Sequence, residues 1–125
     1  MNTEKIIDQL IERAVDGDRT GARAVVESTI KNGMPAEQLV SDVLWPAHET
    51  VQRLHRDDSL SKLGHRLATR LIRVLVDQSA QRYEYQPPNG RTVFAVCGPT
   101  DADELGGQIA VDLLEREGFE VAYSG

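Results

Sequence analysis

Residues 100–125 read TDADELGGQIAVDLLEREGFEVAYSG, and their order of turn, helix and strand decides the fold. The acidic opening places carboxylates where a helix amino terminus has free N–H groups and a positive partial charge. LGGQIAVDLLERE then carries apolar residues at helical spacing, Gly118 interrupts it, and FEVAYS has the composition of a short strand. Immediately upstream, TVFAVC is a continuous apolar run of strand length. Together these segments make one β-α-β unit, the opening of a Rossmann-like (flavodoxin-like) parallel sheet. Ligands of such sheets settle beyond the carboxyl ends of the strands, which puts GPTDADELGG at the binding position. Asp101 and Asp103 supply carboxylates there, and Gly106-Gly107 lets a partner approach the backbone closely. No G-x-G-x-x-G nucleotide fingerprint is present. The same residues also fit a purely structural role in capping the helix and packing it on the strands.

Upstream of this unit the apolar period is helical. A first helix from about Thr3 to Asp16 shows Ile6, Ile7, Leu10, Ile11 and Ala14 on one stripe. Asp18 is placed to cap a second, with Ala22, Val25, Val26 and Ile30, which Asn32-Gly33 ends. Pro35 suits the first turn of a third helix, whose stripe runs through Leu39, Val43, Leu44, Ala47, Val51 and Leu54. Pro46 lies inside that stripe and predicts a kink, because it removes a backbone donor. After HRDDS a fourth helix carries Leu63, Leu67, Leu71, Val74 and Leu75. QPPNGR cannot continue a helix and reads as a linker. The expected organisation is a four-helix bundle over residues 1–85, a linker over 86–91 and the β-α-β unit over 92–125. Tyr83 and Tyr85 are expected to anchor the linker on the bundle, Trp45 to pack in the core, and Cys97 to be a small buried strand residue.

Composition narrows the function. A net charge of -6 leaves no basic surface of the extent that coats phosphate backbones, so direct nucleic-acid binding is not expected. No apolar run is long enough to cross a bilayer, and the first residues lack a basic region followed by a greasy core, so a cytoplasmic chain without membrane contact is expected. One cysteine excludes an internal disulfide and a cysteine-rich metal site. His48, His55 and His65 do not form a persuasive metal set, since His48 and His55 are two helical turns apart. No nucleophile and base stand out at catalytic spacing, and no catalytic residue is assigned.

The spacing Asp101-x-Asp103-x-x-Gly106, followed by Ile109, Leu114, Gly118-Phe119 and Val121, resembles the cobalamin-binding domain shared by methionine synthase, corrinoid methyltransferase proteins and cobalamin-dependent regulators. AVDGD, ESTIKNGMPAEQLVSDVLWPA and RLATRLI resemble that family's helical cap in residue type and order, so the likeness spans nearly the whole chain. The family's turn reads Asp-x-His-x-x-Gly, with the histidine coordinating cobalt from below, the aspartate orienting it and the glycine making room for the nucleotide tail. Asp101 and Gly106 match, but Asp103 stands where the histidine would be, and a carboxylate is a harder ligand of different reach and charge. His55, His65 and Arg66 fall where related light sensors carry a tryptophan and a Glu-His pair facing the corrin's upper side, so the light-sensing signature is lost.

The resemblance implies a corrinoid-binding module, sensory or regulatory rather than enzymatic, holding cobalamin between the cap and the strand ends, base-on or through an upper ligand. Asp101, Asp103, Gly106 and Gly107 would lie below the corrin and His55, His65 and Arg66 above it. One alternative is a module that has lost cobalamin binding and serves dimerisation or partner interaction. Another is a site for heme or a different tetrapyrrole. The family's domain runs on past the position of Gly125, and two parallel strands leave a sheet face uncovered, so a longer chain, a further domain, a protein partner or a homodimer is expected to complete it.

Overall fold

Asn2 opens the first helix by accepting a hydrogen bond from the Lys5 amide on its side chain at 3.2 Å. In the computed structural model, which describes residues 2–124, this helix is α1, Thr3–Val15. Asp18 caps α2, Arg19–Lys31, through the Gly21 amide at 2.9 Å, and Arg13 pairs with the same carboxylate at 3.1 Å. Ser61 caps the long α5, Lys62–Ala80, through the Gly64 amide at 3.0 Å. These side chains satisfy amides that a helix start leaves without partners, which is why the breaks fall where they do.

The third expected helix is three pieces: α3, Ala36–Leu39, a π-helical turn over Val40–Leu44, and α4, Trp45–Arg56. Pro46 is responsible. It has no N–H to return to the preceding turn, and the backbone accommodates it by widening, so that the Trp45 amide donates back to the Val40 carbonyl. The expected kink therefore takes the form of a π turn. Its extra residue lets Leu39, Val40, Val43, Leu44, Ala47, His48 and Val51 all be buried, a wider stripe than the sequence suggested.

Helix α5 is the centre of the bundle and packs against α1, α2, α3, α4 and the turn between α3 and α4. The bundle leads through 81–91 into β1, Thr92–Val96, then α6, Asp101–Arg116, and β2, Glu120–Ser124. The strands are parallel, in register from Thr92 opposite Glu120 to Val96 opposite Ser124. The architecture is the α/β arrangement expected: a helical bundle followed by one β-α-β unit.

Leu105 and Ile109 of α6 join the same apolar cluster as Leu71, Ile72 and Leu75 of α5, so the β-α-β unit is seated on the bundle through its helix. The connecting segment follows the far end of α6, with the Gln86 amide donating to the Arg116 carbonyl at 2.8 Å and the Asn89 amide to the Gly118 carbonyl at 3.0 Å. Gly118 has a φ of +95° and lies against the Pro87 carbonyl, where a side chain would collide.

Four side chains depart from expectation. Leu63 is 66% exposed because it starts α5 on the outer face. Tyr85 is 57% exposed, so of the two tyrosines only Tyr83 is buried, with its phenol pKa raised first by that burial. Cys97 lies one residue beyond β1 and is only half-buried. Trp45 is 36% exposed, turned out of the core by its place at the junction of the π turn and α4.

Leu105 is fully buried at the seam, and Leu105→Ala is expected to cost about 2–5 kcal/mol of unfolding free energy by urea titration. A cost within surface-substitution range would show that α6 does not share the core of the bundle.

Candidate functional site

The site begins where the π turn delivers Trp45 and His48 to the amino-terminal end of α6. His48 is 4% exposed, and its Nε2 donates to the Ala102 carbonyl at 3.1 Å. The Nδ1 atom is buried without a partner. A proton on Nε2 leaves Nδ1 with its lone pair, and a second proton would create a buried donor with nothing to accept it. Burial accordingly depresses the His48 pKa from its ordinary value, only partly opposed by the bond to Ala102. Neutral His48 thus ties the helical half to the first turn of α6.

This tie separates two openings that share Gln52 and Ala102. The inner one, about 410 Å³, is lined by Trp45, His48, Cys97, Asp103, Gly106 and Gly107 among others. The outer cleft, about 680 Å³, is lined by His55, His65, Arg66, Arg70, Arg73 and Asp101 among others. The expected site residues are therefore divided: Asp103, Gly106 and Gly107 face the inner opening, whereas Asp101, His55, His65 and Arg66 face the outer cleft.

Asp103 is engaged in the backbone. Thr100 caps α6 by accepting from the Asp103 amide at 3.1 Å, and the Asp103 carboxylate accepts from the Thr100 amide at 3.3 Å, a reciprocal capping box. The same carboxylate lies against Gly98, which has no room for a side chain. The two glycines are occupied by the protein itself. A Cβ on Gly106 would stand 3.2 Å from the Trp45 ring, and one on Gly107 would collide with the Tyr123 hydroxyl. Tyr123 in turn donates to the Glu104 carbonyl at 3.2 Å. Close approach to the backbone is what these glycines permit, and Trp45 and Tyr123 are what approach.

On the other side of the tie, the rings of His55 and His65 stack with centroids 3.9 Å apart and planes 7° from parallel. His65 Nε2 donates to the Gln52 carbonyl oxygen at 2.7 Å, and the Gln52 amide donates to the Thr69 hydroxyl at 3.3 Å. Desolvation, then the neighbouring His55, lower the His65 pKa. His55 keeps a buried Nδ1 with no hydrogen-bond partner. Neutral His65 is thereby favoured, in a cleft that Lys62, Arg66, Arg70 and Arg73 also line. Neutral imidazole is a cobalt- or iron-competent donor. Among the described residues no three His, Cys, Asp or Glu side chains converge on one metal position.

A family comparison covers the helical half. The sequence profile of the B12 binding domain matches residues 6–78, more than half of the chain. The chain belongs to the B12 binding domain family. No curated protein matches the chain. The B12 binding domain match runs from α1 almost to the end of α5 and supports a cobalamin- or corrinoid-binding module. It contains Trp45, His48, Gln52, His55, His65 and Arg66, while the turn at 101–107 lies outside it. The residues on the helical side fit a corrinoid, offering a stacked imidazole pair and an orphaned buried nitrogen. The turn fits less well, because Asp103 is committed to the helix cap and Trp45 and Tyr123 pack against Gly106 and Gly107.

Trp45, His48 and Gln52 were not singled out as site residues by sequence. Their signal was Pro46: a proline inside an apolar helical stripe forces a local defect, and π turns recur at functional sites.

Two outcomes follow. Gly107→Ala is expected to destabilise the fold by about 1–3 kcal/mol, read by urea titration, because the Cβ must displace the Tyr123 hydroxyl. Alongside His65, His48 contributes to the pH dependence. Its folded pKa lies below the unfolded value near 6.5, so the unfolded chain takes the proton first and stability, complete above that value, declines as pH falls below it. The melting temperature should drop between about pH 7.5 and about pH 5.5, and His48→Gln should flatten the drop. An equal slope in the variant would contradict a buried neutral His48.

Proposed function

We propose that the chain is a sensory or regulatory corrinoid-binding module that holds its ligand against the helical half without a lower-axial histidine from the turn. The observation that carries this reading is the outer cleft, where the stacked His55 and His65 rings and the buried, unpartnered His55 Nδ1 lie within the segment matched by the B12 binding domain. In this reading His55 would be the imidazole offered to a bound corrin, with His65 stacked on it and held by Gln52 through one hydrogen bond. Arg66 and Asp101 line the rim, where corrin amide side chains offer both donors and acceptors. A bound corrin supplies a cobalt centre with exchangeable axial ligands. The protein supplies binding, orientation and exclusion of water.

A binding role rather than a catalytic one is supported by the state of the two best proton acceptors. The Nδ1 atoms of His48 and His55 are both buried with no hydrogen-bond partner among the described residues, so neither is paired with a nucleophile. A second reading, an interaction module that no longer binds cobalamin, is favoured by the way Trp45 and Tyr123 fill the spaces beside Gly106 and Gly107. The open sheet face, with Phe94 83% and Val96 82% exposed, supports a protein neighbour in either case.

Incubation with hydroxocobalamin, cobinamide or hemin followed by gel filtration separates the readings. Retention of a corrinoid with a shifted visible spectrum is expected, together with loss of the shift in His55→Ala. Co-elution of neither corrinoid would sink the proposal in favour of the interaction module, and retention of hemin alone would point to a heme site.

A further inference from the structure

We propose that the outer cleft binds a phosphate group carried by a small molecule, in addition to its contact with a corrin. The argument starts from charge placement. The chain as a whole is acidic, at -6, yet α5 carries Lys62, Arg66, Arg70 and Arg73 against one carboxylate, Asp77. Lys62, Arg66 and Arg70 are four residues apart and so lie one above another on a single helix face. Like charges at that spacing repel, and cations in the first turns oppose the helix dipole, with no acid in the first turn of α5 to offset them. The arrangement works against the helix that bears it, which points to a use outside the helix.

All four cations line the outer cleft. Arg73 reaches Glu104 at 3.7 Å, whereas Lys62, Arg66 and Arg70 take part in none of the ion pairs among the described residues. The facing wall is the start of α6, Thr100 to Ala102, where a capping box already engages the Thr100 and Asp103 amides, so the groups open to an anion are those of α5. Asp101 is the one carboxylate on the lining, so an anion is directed away from that wall and toward Arg66 and Arg70. Guanidinium groups present paired donors in a plane, the geometry that phosphate oxygens satisfy with two bonds each. The cleft, at about 680 Å³, is the size of a small-molecule site. The acidic remainder of the chain works against a nucleic acid, whose backbone needs an extended basic surface. The phosphate is either that of a free phosphate ester or the phosphodiester of a corrinoid's nucleotide tail.

Calorimetric titration with sodium pyrophosphate at constant ionic strength tests the first source. Saturable binding is expected, weakened at least about tenfold in the Arg66→Gln/Arg70→Gln double variant and unchanged in Arg23→Gln on α2. Both exchanged residues are exposed, and far-ultraviolet dichroism checks that the double variant keeps its helices. For the second source, cyanocobalamin should bind at least about tenfold more tightly than cobinamide, which has no nucleotide tail, and the double variant should erase that difference. Pyrophosphate heats no larger than those of sodium chloride, together with equal affinity for the two corrinoids, would overturn the proposal. Cobinamide retained alongside that null result would leave the corrinoid reading standing. Pyrophosphate binding with no corrinoid retained would do the reverse.

Discussion

Pro46 lacks the one hydrogen a helix needs from it, and the arrangement of the cleft depends on how the backbone absorbs that loss. A π turn over Val40–Leu44 inserts the slack, sending the Trp45 amide five residues back. The extra residue rotates everything that follows relative to the preceding helix, so that α4 buries His48 beside Ala47 while Trp45 is turned toward α6. An uninterrupted α-helix through the same residues would hold one narrower stripe against the core and could not supply both contacts. Two of the contacts that join the bundle to the start of α6, His48 with Ala102 and Trp45 with Gly106, are therefore consequences of a single missing N–H.

Those contacts explain why a turn with the appearance of a ligand site is engaged in good part by the protein itself. The Asp103 carboxylate and the Thr100 hydroxyl satisfy two amides that α6 would otherwise leave open, and the bare backbone at Gly106 and Gly107 receives an indole and a phenol. Each is a favourable use of the same features that would suit a cofactor: free amides, negative charge near a helix start, and absent side chains. Trp45 lies against Gly106 on the strand side, whereas the His55 and His65 rings line the outer cleft on the helical side.

The elements were legible in the sequence because their signals are local. Asp18 and Ser61 cap within three residues, Asn32-Gly33 stops a helix, and the apolar run of β1 announces itself by composition. The π turn was half legible, since Pro46 forecasts a defect but not which defect. Trp45 was misread as core because an aromatic residue in an apolar stripe is buried unless a local shift rotates it outward. Cys97 was misread because the strand ends one residue earlier than its apolar run. The division of the site into two openings was not legible, for it depends on a hydrogen bond between His48 and Ala102, residues 54 positions apart. No periodicity encodes a contact at that separation.

Charge adds a constraint of its own to the cleft. Desolvation, and then the neighbouring His55 ring, oppose a proton on His65. Lys62, Arg66, Arg70 and Arg73 line the same cleft, so the space bounded by the stacked rings on one side carries a row of cations on another. A ligand that suits the whole cleft has to offer a face to the rings and negative charge to the row, and an apolar or cationic molecule satisfies only part of it.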